Sequence, residues 1–261
     1  MSGAAGVGAQ LPSEGPRPTV RHLGVLVPVR DEEQLLGRCL TAVAAAVQAL
    51  HARDALVAVD VVVVLDGCRD GSAGTAAAVP WPAASARPHL LETAPLGVGR
   101  ARATGAAHLL HLARERGTGP AVSWLAGTDA DSTVPEGWLL AQVDASRVGY
   151  DGRVGTVVLS ARDQLAARWT GQQQHVEGHG HVHGANLGVR GDAYLRAGGY
   201  PPVTTGEDVA LVEALQRTGA RLLRTAQAPV VTSDRLSGRA PDGVAADLAD
   251  LAASAVDAEA S

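Results

Sequence analysis

The sequence lacks several of the residues that usually supply large or cationic side chains. Its 261 residues include no phenylalanine, no lysine and no isoleucine, and aromatic side chains account for only 3% of them. Alanine, valine, leucine, arginine and glycine take the places of the missing residues. We therefore expect a core built from many small aliphatic side chains.

Cysteine and net charge are scarce as well. Cys39 and Cys68 are the only cysteines, which excludes a disulfide framework and suits a reducing compartment. The 22 basic and 27 acidic residues leave a net charge of −5. A weakly acidic chain lacks the basic surface that attracts nucleic acids and anionic membranes. We expect no nucleic-acid partner.

Long apolar runs are also missing. No segment approaches the roughly 18 uncharged apolar residues that a membrane-spanning helix needs. Residues 1–18 contain glycine and proline, but no basic start followed by an apolar stretch, so they do not resemble a signal peptide. We predict no membrane span, a cytoplasmic location and a flexible tail over residues 1–20.

The sequence does contain a repeated alternation of apolar strands and amphipathic helices up to about residue 150. The predicted strands cover residues 22–29, 59–65, 90–93 and 121–127, and the helices cover about 32–50, 72–79, 99–116 and a segment that begins at 135. Repeated alternation of this kind predicts an α/β fold with a mostly parallel central sheet flanked by helices.

The pattern changes after residue 150, where an α+β half is expected to complete the site. It contains a strand at 154–159, a polar stretch at 162–180 with little periodicity, helices near 192–197 and at 206–218, and short strands at 222–224 and 230–232. We predict one domain over residues 21–240, divided at 134/135, followed by a C-terminal helix or tail over 241–261.

Acidic residues stand at the carboxyl ends of two predicted strands, where open α/β sheets bind their ligands. Asp129 and Asp131 follow the fourth strand at a spacing that places both carboxylates on one side of an extended chain. Such a pair suits Mg²⁺ or Mn²⁺, although an ordinary polar loop has the same pattern. Asp66 follows the second strand and can bind a base or a ribose, or simply form a turn with Gly67.

In combination, these motifs resemble family 2 glycosyltransferases, which have the nucleotide-diphospho-sugar-binding fold known as GT-A. The resemblance covers about residues 22–240, and its motifs follow the family's order. The matching segments are VPVRDEE at 27–33, VLDGCRDGS at 64–72, GVGRAR at 97–102, TDADS at 128–132, GANLGVR at 184–190 and TGED at 205–208.

The resemblance implies that residues 21–134 form the nucleotide-binding half of the domain. Pro28, Arg30 and Glu32 would lie along a nucleotide-diphospho-sugar donor. Asp66 would contact its base, and Arg102 would also lie at the nucleotide, in the entry to a helix whose N-terminus favours anions. Family members often have asparagine at two positions where this chain has Asp31 and Ala103, so the preferred base stays open.

The resemblance also implies the chemistry and the acceptor half, residues 135–240. Asp131 would be the main ligand of Mg²⁺ or Mn²⁺, with Asp129 near the metal and the ribose. Asp208 and Glu207 would be the catalytic pair, with Asp208 as the general base for an unidentified acceptor hydroxyl in a single displacement that inverts the anomeric carbon. Acidic residues at a helix start also simply cap it. The acceptor would meet the segment Gly184, Ala185 and Asn186.

A histidine-rich segment offers a rival interpretation. It contains His175, Glu177, His179, His181 and His183, and its alternate imidazoles could share one face of a strand and bind Zn²⁺ or Ni²⁺, as in a metallohydrolase. A flexible loop over the site is the simpler reading. We favour an intermediate one, in which His183 lies near the acceptor or the metal.

Three more side chains are candidates for the site. Arg235 and Arg239 follow a late strand and could fold over the diphosphate as a lid, or stay solvated. Trp169 could stack on an acceptor, although tryptophan is more often part of a core.

Two further alternatives remain open. A sugar-phosphate nucleotidyltransferase has a similar fold, but it usually carries arginine and lysine in a glycine-rich loop after the first strand. Here that loop reads Arg-Asp-Glu-Glu, and the chain has no lysine. A non-catalytic nucleotide-sugar-binding module would share the binding residues, and only a turnover measurement separates it from an enzyme.

Overall fold

The structure is a computed structural model, and it describes residues 17–81, 88–161, 164–173, 175–235 and 248–251. Most of the predicted N-terminal tail and of the predicted C-terminal helix or tail therefore lies outside the described residues. Arg239 lies outside them too.

The described residues form strands and helices in the order expected of an α/β protein. The strands are β1 (His22–Val29), β2 (Ala58–Asp66), β3 (Pro88–Thr93), β4 (Ser123–Gly127), β5 (Gly152–Leu159), β6 (Leu187–Arg190) and β7 (Leu222–Thr232). The helices are α1 (Leu36–Arg53), α2 (Ser72–Ala78), α3 (Val98–Glu115), α4 (Trp138–Arg147), α5 (Gln164–Gln172), α6 (Gly191–Arg196) and α7 (Glu207–Arg217).

The strands join into one mixed sheet in the order β3-β2-β1-β4-β6-β5-β7. The first four strands of this order are parallel, and so are β5 and β7, whereas β6 is antiparallel to both of its neighbours. The prediction of a mostly parallel central sheet flanked by helices is confirmed. Because β6 runs backwards, its first residues lie at the same edge as the carboxyl ends of β1, β2 and β4.

The sheet separates two apolar layers, as strands that are buried on both faces require. Along β2, Val61 and Val63 pack into one layer, and Val62 and Val64 pack into the other. The first layer is closed mainly by α1, α4 and α5, and the second by α3, α6 and α7. Alternation along one strand thus fixes which helices lie on each face.

Two elements differ from the predicted pattern. The polar stretch contains α5, in which the buried residues Ala166 and Trp169 are three positions apart, and buried Gln173 follows directly after the helix. Two predicted strands are one strand, β7, whose register against β5 shifts at Gly155/Val157. Ala228 has a φ of 50° in β7, which is consistent with a bulge at the polar interruption of the apolar pattern.

A buried carboxylate stabilises the end of the sheet where β1 and β2 begin. Asp60, 1% exposed, lies in the first half of β2. Arg116 donates to its two oxygens at 2.7 and 2.6 Å, and His22 Nε2 lies 3.0 Å from one of them. Burial alone would raise the pKa of Asp60, but the hydrogen bonds with His22 and Arg116 outweigh it and hold this pKa well below its usual range.

We predict that Asp60→Asn lowers the free energy of unfolding at pH 7 by roughly 1–3 kcal/mol, because the Arg116 guanidinium loses its carboxylate partner and the hydrogen bond with His22 is weakened. The folded-state pKa is depressed, so the carboxylate stabilises fully above about pH 4 and progressively less as the pH falls below that. Denaturant titrations should show that the free energies of unfolding of wild type and variant differ less at pH 3 than at pH 7. Asp144→Asn, an exposed ion-pair change, should cost at most about 1 kcal/mol. An equal loss in both variants would contradict the prediction.

Candidate active site

One cleft of about 960 Å³ opens at the carboxyl ends of β1, β2 and β4. The α/β topology places these ends, the start of β6 and the start of α7 around one depression. The predicted site residues that line it are Pro28, Arg30, Glu32, Asp66, Arg102, Asp129, Asp131, His183, Gly184, Ala185, Glu207, Asp208 and Arg235.

Asp66 is the last residue of β2 and lines the cleft there. Its side chain is nearly buried, and its oxygens accept hydrogen bonds from the backbone N–H groups of Leu96 and Gly97, the second at 3.0 Å. Arg30 approaches the carboxylate to 3.9 Å. The carboxylate therefore shapes the loop before α3 while it also lines the cleft.

Asp131 carries a dense set of oxygen and cationic contacts. Its Oδ2 accepts from Ser233 Oγ at 2.9 Å and lies 3.0 Å from Arg235 Nη2. The other guanidinium nitrogen of Arg235 donates to Glu32 Oε1 at 2.7 Å. Arg235 therefore connects Glu32, after β1, to Asp131, after β4.

These residues fit a divalent cation. A carboxylate flanked by hydroxyl groups supplies the hard oxygen ligands that Mg²⁺ and Mn²⁺ prefer. The guanidinium held against Asp131 shows that this point of the cleft already attracts positive charge. Burial raises the pKa of neighbouring Asp129 to about 6, opposed by Arg102 and reinforced by Asp131 and the acidic pair of α7.

A second group of potential ligands lies outside the cleft lining. Asp31, Cys68 and Asp70 have ligand atoms within 4.8 Å of one another, and no other such group of three occurs in the described ranges. Neither the histidine-rich segment nor the acidic residues of the cleft form such a group of three there.

The histidines stack instead of converging. The rings of His179, His181 and His183 are 6.4 and 6.3 Å apart, with interplanar angles of 19° and 14°. Glu177 accepts hydrogen bonds from the β7 residues Thr225 and Ala226. This arrangement removes the geometric basis of the metallohydrolase reading.

His183 lines the cleft beside Gly184. Its Nε2 lies 3.2 Å from Gln173 Oε1. Burial lowers the pKa of His183 to about 4 although Asp208 opposes the shift, so the imidazole is neutral at pH 7. Its predicted role as a metal ligand stays a prediction.

The start of α7 presents the acidic pair to the cleft. Gly206 precedes the helix with a φ of 72°, in the left-handed region that favours glycine. Asp208 Oδ2 accepts from the backbone N–H of Gly184 at 2.6 Å, and Oδ1 accepts from Val209 N at 2.8 Å. Glu207 is nearly buried and accepts from Arg102 Nε at 3.0 Å.

Two predicted acceptor-binding side chains belong to the core. Asn186 is fully buried, and its amide makes hydrogen bonds of 2.9–3.1 Å with Trp138, Arg153, Thr156 and Ala228. Trp169 is fully buried on α5. Neither residue lines the cleft. We therefore replace their predicted acceptor contacts with packing roles, because both residues are buried and neither lines the cleft.

Sequence reasoning missed some of the side chains that complete the site. Ser233 donates to Asp131, and Gln173 faces His183. Tyr200 lies under Arg102, with the guanidinium carbon 5.8 Å from the ring centroid. Of these residues, only Ser233 could have been predicted from the sequence, because it lies two residues before the candidate Arg235 in the loop after β7.

Gly184 leaves room for the guanidinium of Arg102. A Cβ at this position would lie 2.5 Å from Arg102 Nη2 and 2.9 Å from Cζ. Because Glu207 and Asp129 hold the guanidinium, we predict that Gly184→Ala costs roughly 1–3 kcal/mol of stability and lowers activity. Thermal denaturation should show the loss. Gly180→Ala, where a Cβ meets nothing within 4 Å, should stay within about 0.5 kcal/mol. Equal stability of the two variants would contradict the prediction.

Every helix in the described ranges is too short or too polar to cross a bilayer. Comparison with curated proteins gives no significant match.

Solved structures share the fold. S. aureus TarS, residues 1–349, matches with a TM-score of 0.56 and 12% identity over 82% of this chain and 60% of that chain. The mannosyltransferase PcManGT from Pyrobaculum calidifontis, solved with GDP-Man and Mn²⁺, matches with a TM-score of 0.57 and 18% identity over 83% of this chain and 57% of that one. The match to these two solved chains thus spans less than two thirds of their length.

The sequence profile of the family described as glycosyl transferase family 2 matches residues 24–189. That range begins in β1 and ends in β6, so it contains Asp66, Asp129 and Asp131 and the Gly184 turn. Because the match covers more than half of the sequence, the chain belongs to glycosyl transferase family 2.

Proposed function

We propose that the protein transfers a sugar from a nucleotide-diphospho-sugar to an acceptor hydroxyl in this cleft. The reaction is a single displacement that inverts the anomeric carbon, and it uses Mg²⁺ or Mn²⁺. The observation that carries the proposal is that Asp66, Asp131 and Asp208 line one cleft, although they lie far apart in the sequence.

In this proposal, the donor lies across the ends of β1, β2 and β4. Asp66 and Arg30 meet the nucleoside, and Asp131 holds the metal with Asp129 beside it. A bound divalent cation would neutralise charge on the departing nucleoside diphosphate. When the donor binds, the guanidinium of Arg235 would move from Glu32 and Asp131 to the diphosphate oxygens. A guanidinium binds such oxygens through paired hydrogen bonds.

The acceptor occupies the other half of the cleft in this proposal. Asp208 accepts the proton of the attacking hydroxyl, which makes the oxygen a better nucleophile as the bond to the anomeric carbon forms. The hydrogen bond from Gly184 N to Oδ2 fixes the direction of the carboxylate. Neutral His183 and Gln173 offer hydrogen-bonding groups beside it.

A thermal-shift panel of nucleoside diphosphates, with and without Mn²⁺, tests the proposal first. UDP and GDP are the natural starting probes, because solved structures of the same fold contain UDP or GDP-Man. A ligand at 100 times its dissociation constant stabilises the folded state by about 2.7 kcal/mol, which is several degrees for a chain of this size.

Release of the nucleoside diphosphate from UDP-glucose or GDP-mannose then separates an enzyme from a binding module. A shift without turnover for any donor and acceptor pair would support the module. No shift with any base would contradict nucleotide binding in the cleft altogether.

A further inference from the structure

Arg102 occupies a position that nucleotide contact alone does not explain. The side chain is 2% exposed, and its guanidinium lies between two carboxylates. Nε donates to Glu207 at 3.0 Å, and Nη2 contacts Asp129. Asp129 follows β4 in the donor half, whereas Glu207 begins α7 in the acceptor half.

The surroundings of this guanidinium are shaped to hold it. A Cβ at Gly127 would lie 3.1 Å from Nη1, and one at Gly184 would lie 2.5 Å from Nη2. The ring of Tyr200 packs against the guanidinium, with its centroid 5.8 Å from Arg102 Cζ. Because glycines on two sides admit the planar group and two carboxylates orient it, small rotations of Arg102 are disfavoured.

We propose that Arg102 is a positioning residue that sets the distance and direction between Asp208 and Asp131. It acts through Glu207, the neighbour of Asp208 in the chain, and through Asp129, two residues before Asp131. The backbone N–H that fixes Asp208 belongs to Gly184, which packs directly on the guanidinium. This inference rests on the proposed function, and it replaces the expected nucleotide contact of Arg102.

The positioning role predicts a particular separation of kinetic constants. Misalignment of a base and a reacting centre by about 1 Å can cost on the order of 100-fold in rate, whereas binding depends on groups elsewhere in the cleft. Loss of Arg102 should therefore lower kcat and leave donor binding almost unchanged. A guanidinium that binds the nucleotide directly would show the reverse.

The experiment compares wild type with Arg102→Gln in the full chain. The probes are Mn²⁺ with UDP or GDP, whichever binds wild type, and slow hydrolysis of UDP-glucose or GDP-mannose with water as acceptor. We expect kcat to fall by at least about tenfold, with KM and the dissociation constant changing less than about threefold. A tenfold rise in KM, or no change in any constant, would overturn the inference.

Arg190→Gln is the matched control, because Arg190 is also fully buried but lies outside the cleft. It should lower the melting temperature and leave kcat unchanged. The double variant Arg102→Gln/Glu207→Gln removes one of the two carboxylates that lose their partner in Arg102→Gln, so it should be more stable than Arg102→Gln but equally slow. Recovery of kcat in the double variant, or an equal loss in Arg190→Gln, would reduce Arg102 to a packing role.

Two measurements keep the inference testable if Arg102→Gln does not fold or if the donor is wrong. Arg102→Lys keeps the positive charge but not the planar guanidinium that contacts two carboxylates at once. This variant should therefore stay folded and have a reduced kcat. Hydrogen exchange without ligand should quicken at the Gly184 amide in the Arg102 variants and not in Arg190→Gln. Unchanged exchange overturns the positioning role, whereas a wild type that binds no nucleoside diphosphate overturns the proposed function.

Discussion

Asp208→Asn is expected to lower the rate of sugar transfer by roughly 10²–10⁴-fold, because an amide cannot accept the proton of the attacking hydroxyl. Asparagine keeps the shape of the side chain, and its one oxygen can still accept the hydrogen bond from Gly184 N, whereas the hydrogen bond from Val209 N is lost. The fold and nucleoside diphosphate binding should therefore survive. Measurement of kcat, together with the dissociation constant of UDP or GDP, separates the loss of chemistry from the loss of binding.

Asp192→Asn is the matched control for this variant. Asp192 also lies in the first turn of a short helix, and its Oδ1 accepts from the next backbone N–H, as Asp208 Oδ1 does. It does not line the cleft. Equal rates for wild type and Asp208→Asn would show that Asp208 is not the base. A similar loss in Asp192→Asn would show that helix capping explains the effect.

Asp131→Asn is expected to abolish the gain in nucleoside diphosphate affinity that Mn²⁺ provides. A neutral amide is a weaker ligand for a hard cation than a carboxylate, and a metal that cannot bind cannot neutralise the diphosphate. We expect a loss of at least about 100-fold in metal-dependent turnover. Titration with UDP or GDP, with and without Mn²⁺, measures the coupling directly.

Asp70→Asn is the control for the metal position, because Asp70 belongs to the second acidic group with Asp31 and Cys68. It should leave the effect of Mn²⁺ on nucleotide affinity unchanged. If Asp70→Asn abolishes that effect and Asp131→Asn keeps it, the metal binds outside the cleft and the assignment of Asp131 is wrong.

The parallel half of the sheet was predictable because its strands are apolar on both faces and end in polar loops. Runs such as 59–65 have no other stable location than the middle of a covered sheet. Asp66 and Asp131 could be assigned to one edge for the same reason, since the carboxyl ends of parallel strands meet there. Asp208 required the resemblance, because an acidic residue at a helix start is ordinary on its own.

Side-chain partners could not be predicted in the same way. Asn186 and Trp169 have the chemistry of binding residues, yet the packing of α4, α5 and β5 around them decides that they are buried. The pairing of Arg102 with Glu207 joins residues 105 positions apart, and no local pattern encodes it. The sequence of β7 predicts two strands because its middle, TAQAP at 225–229, contains polar residues and a proline that interrupt the apolar pattern without ending the pairing.

A crystal structure with Mn²⁺ and the nucleoside diphosphate that gives the largest thermal shift tests the central claim most directly. The account predicts an anomalous Mn²⁺ peak on Asp131, the base beside Asp66, and Arg235 moved from Asp131 to the phosphates. Asp208 should face the diphosphate across an open space large enough for a sugar. A Mn²⁺ peak at Asp31 and Asp70, or a nucleotide bound outside the cleft, would contradict it.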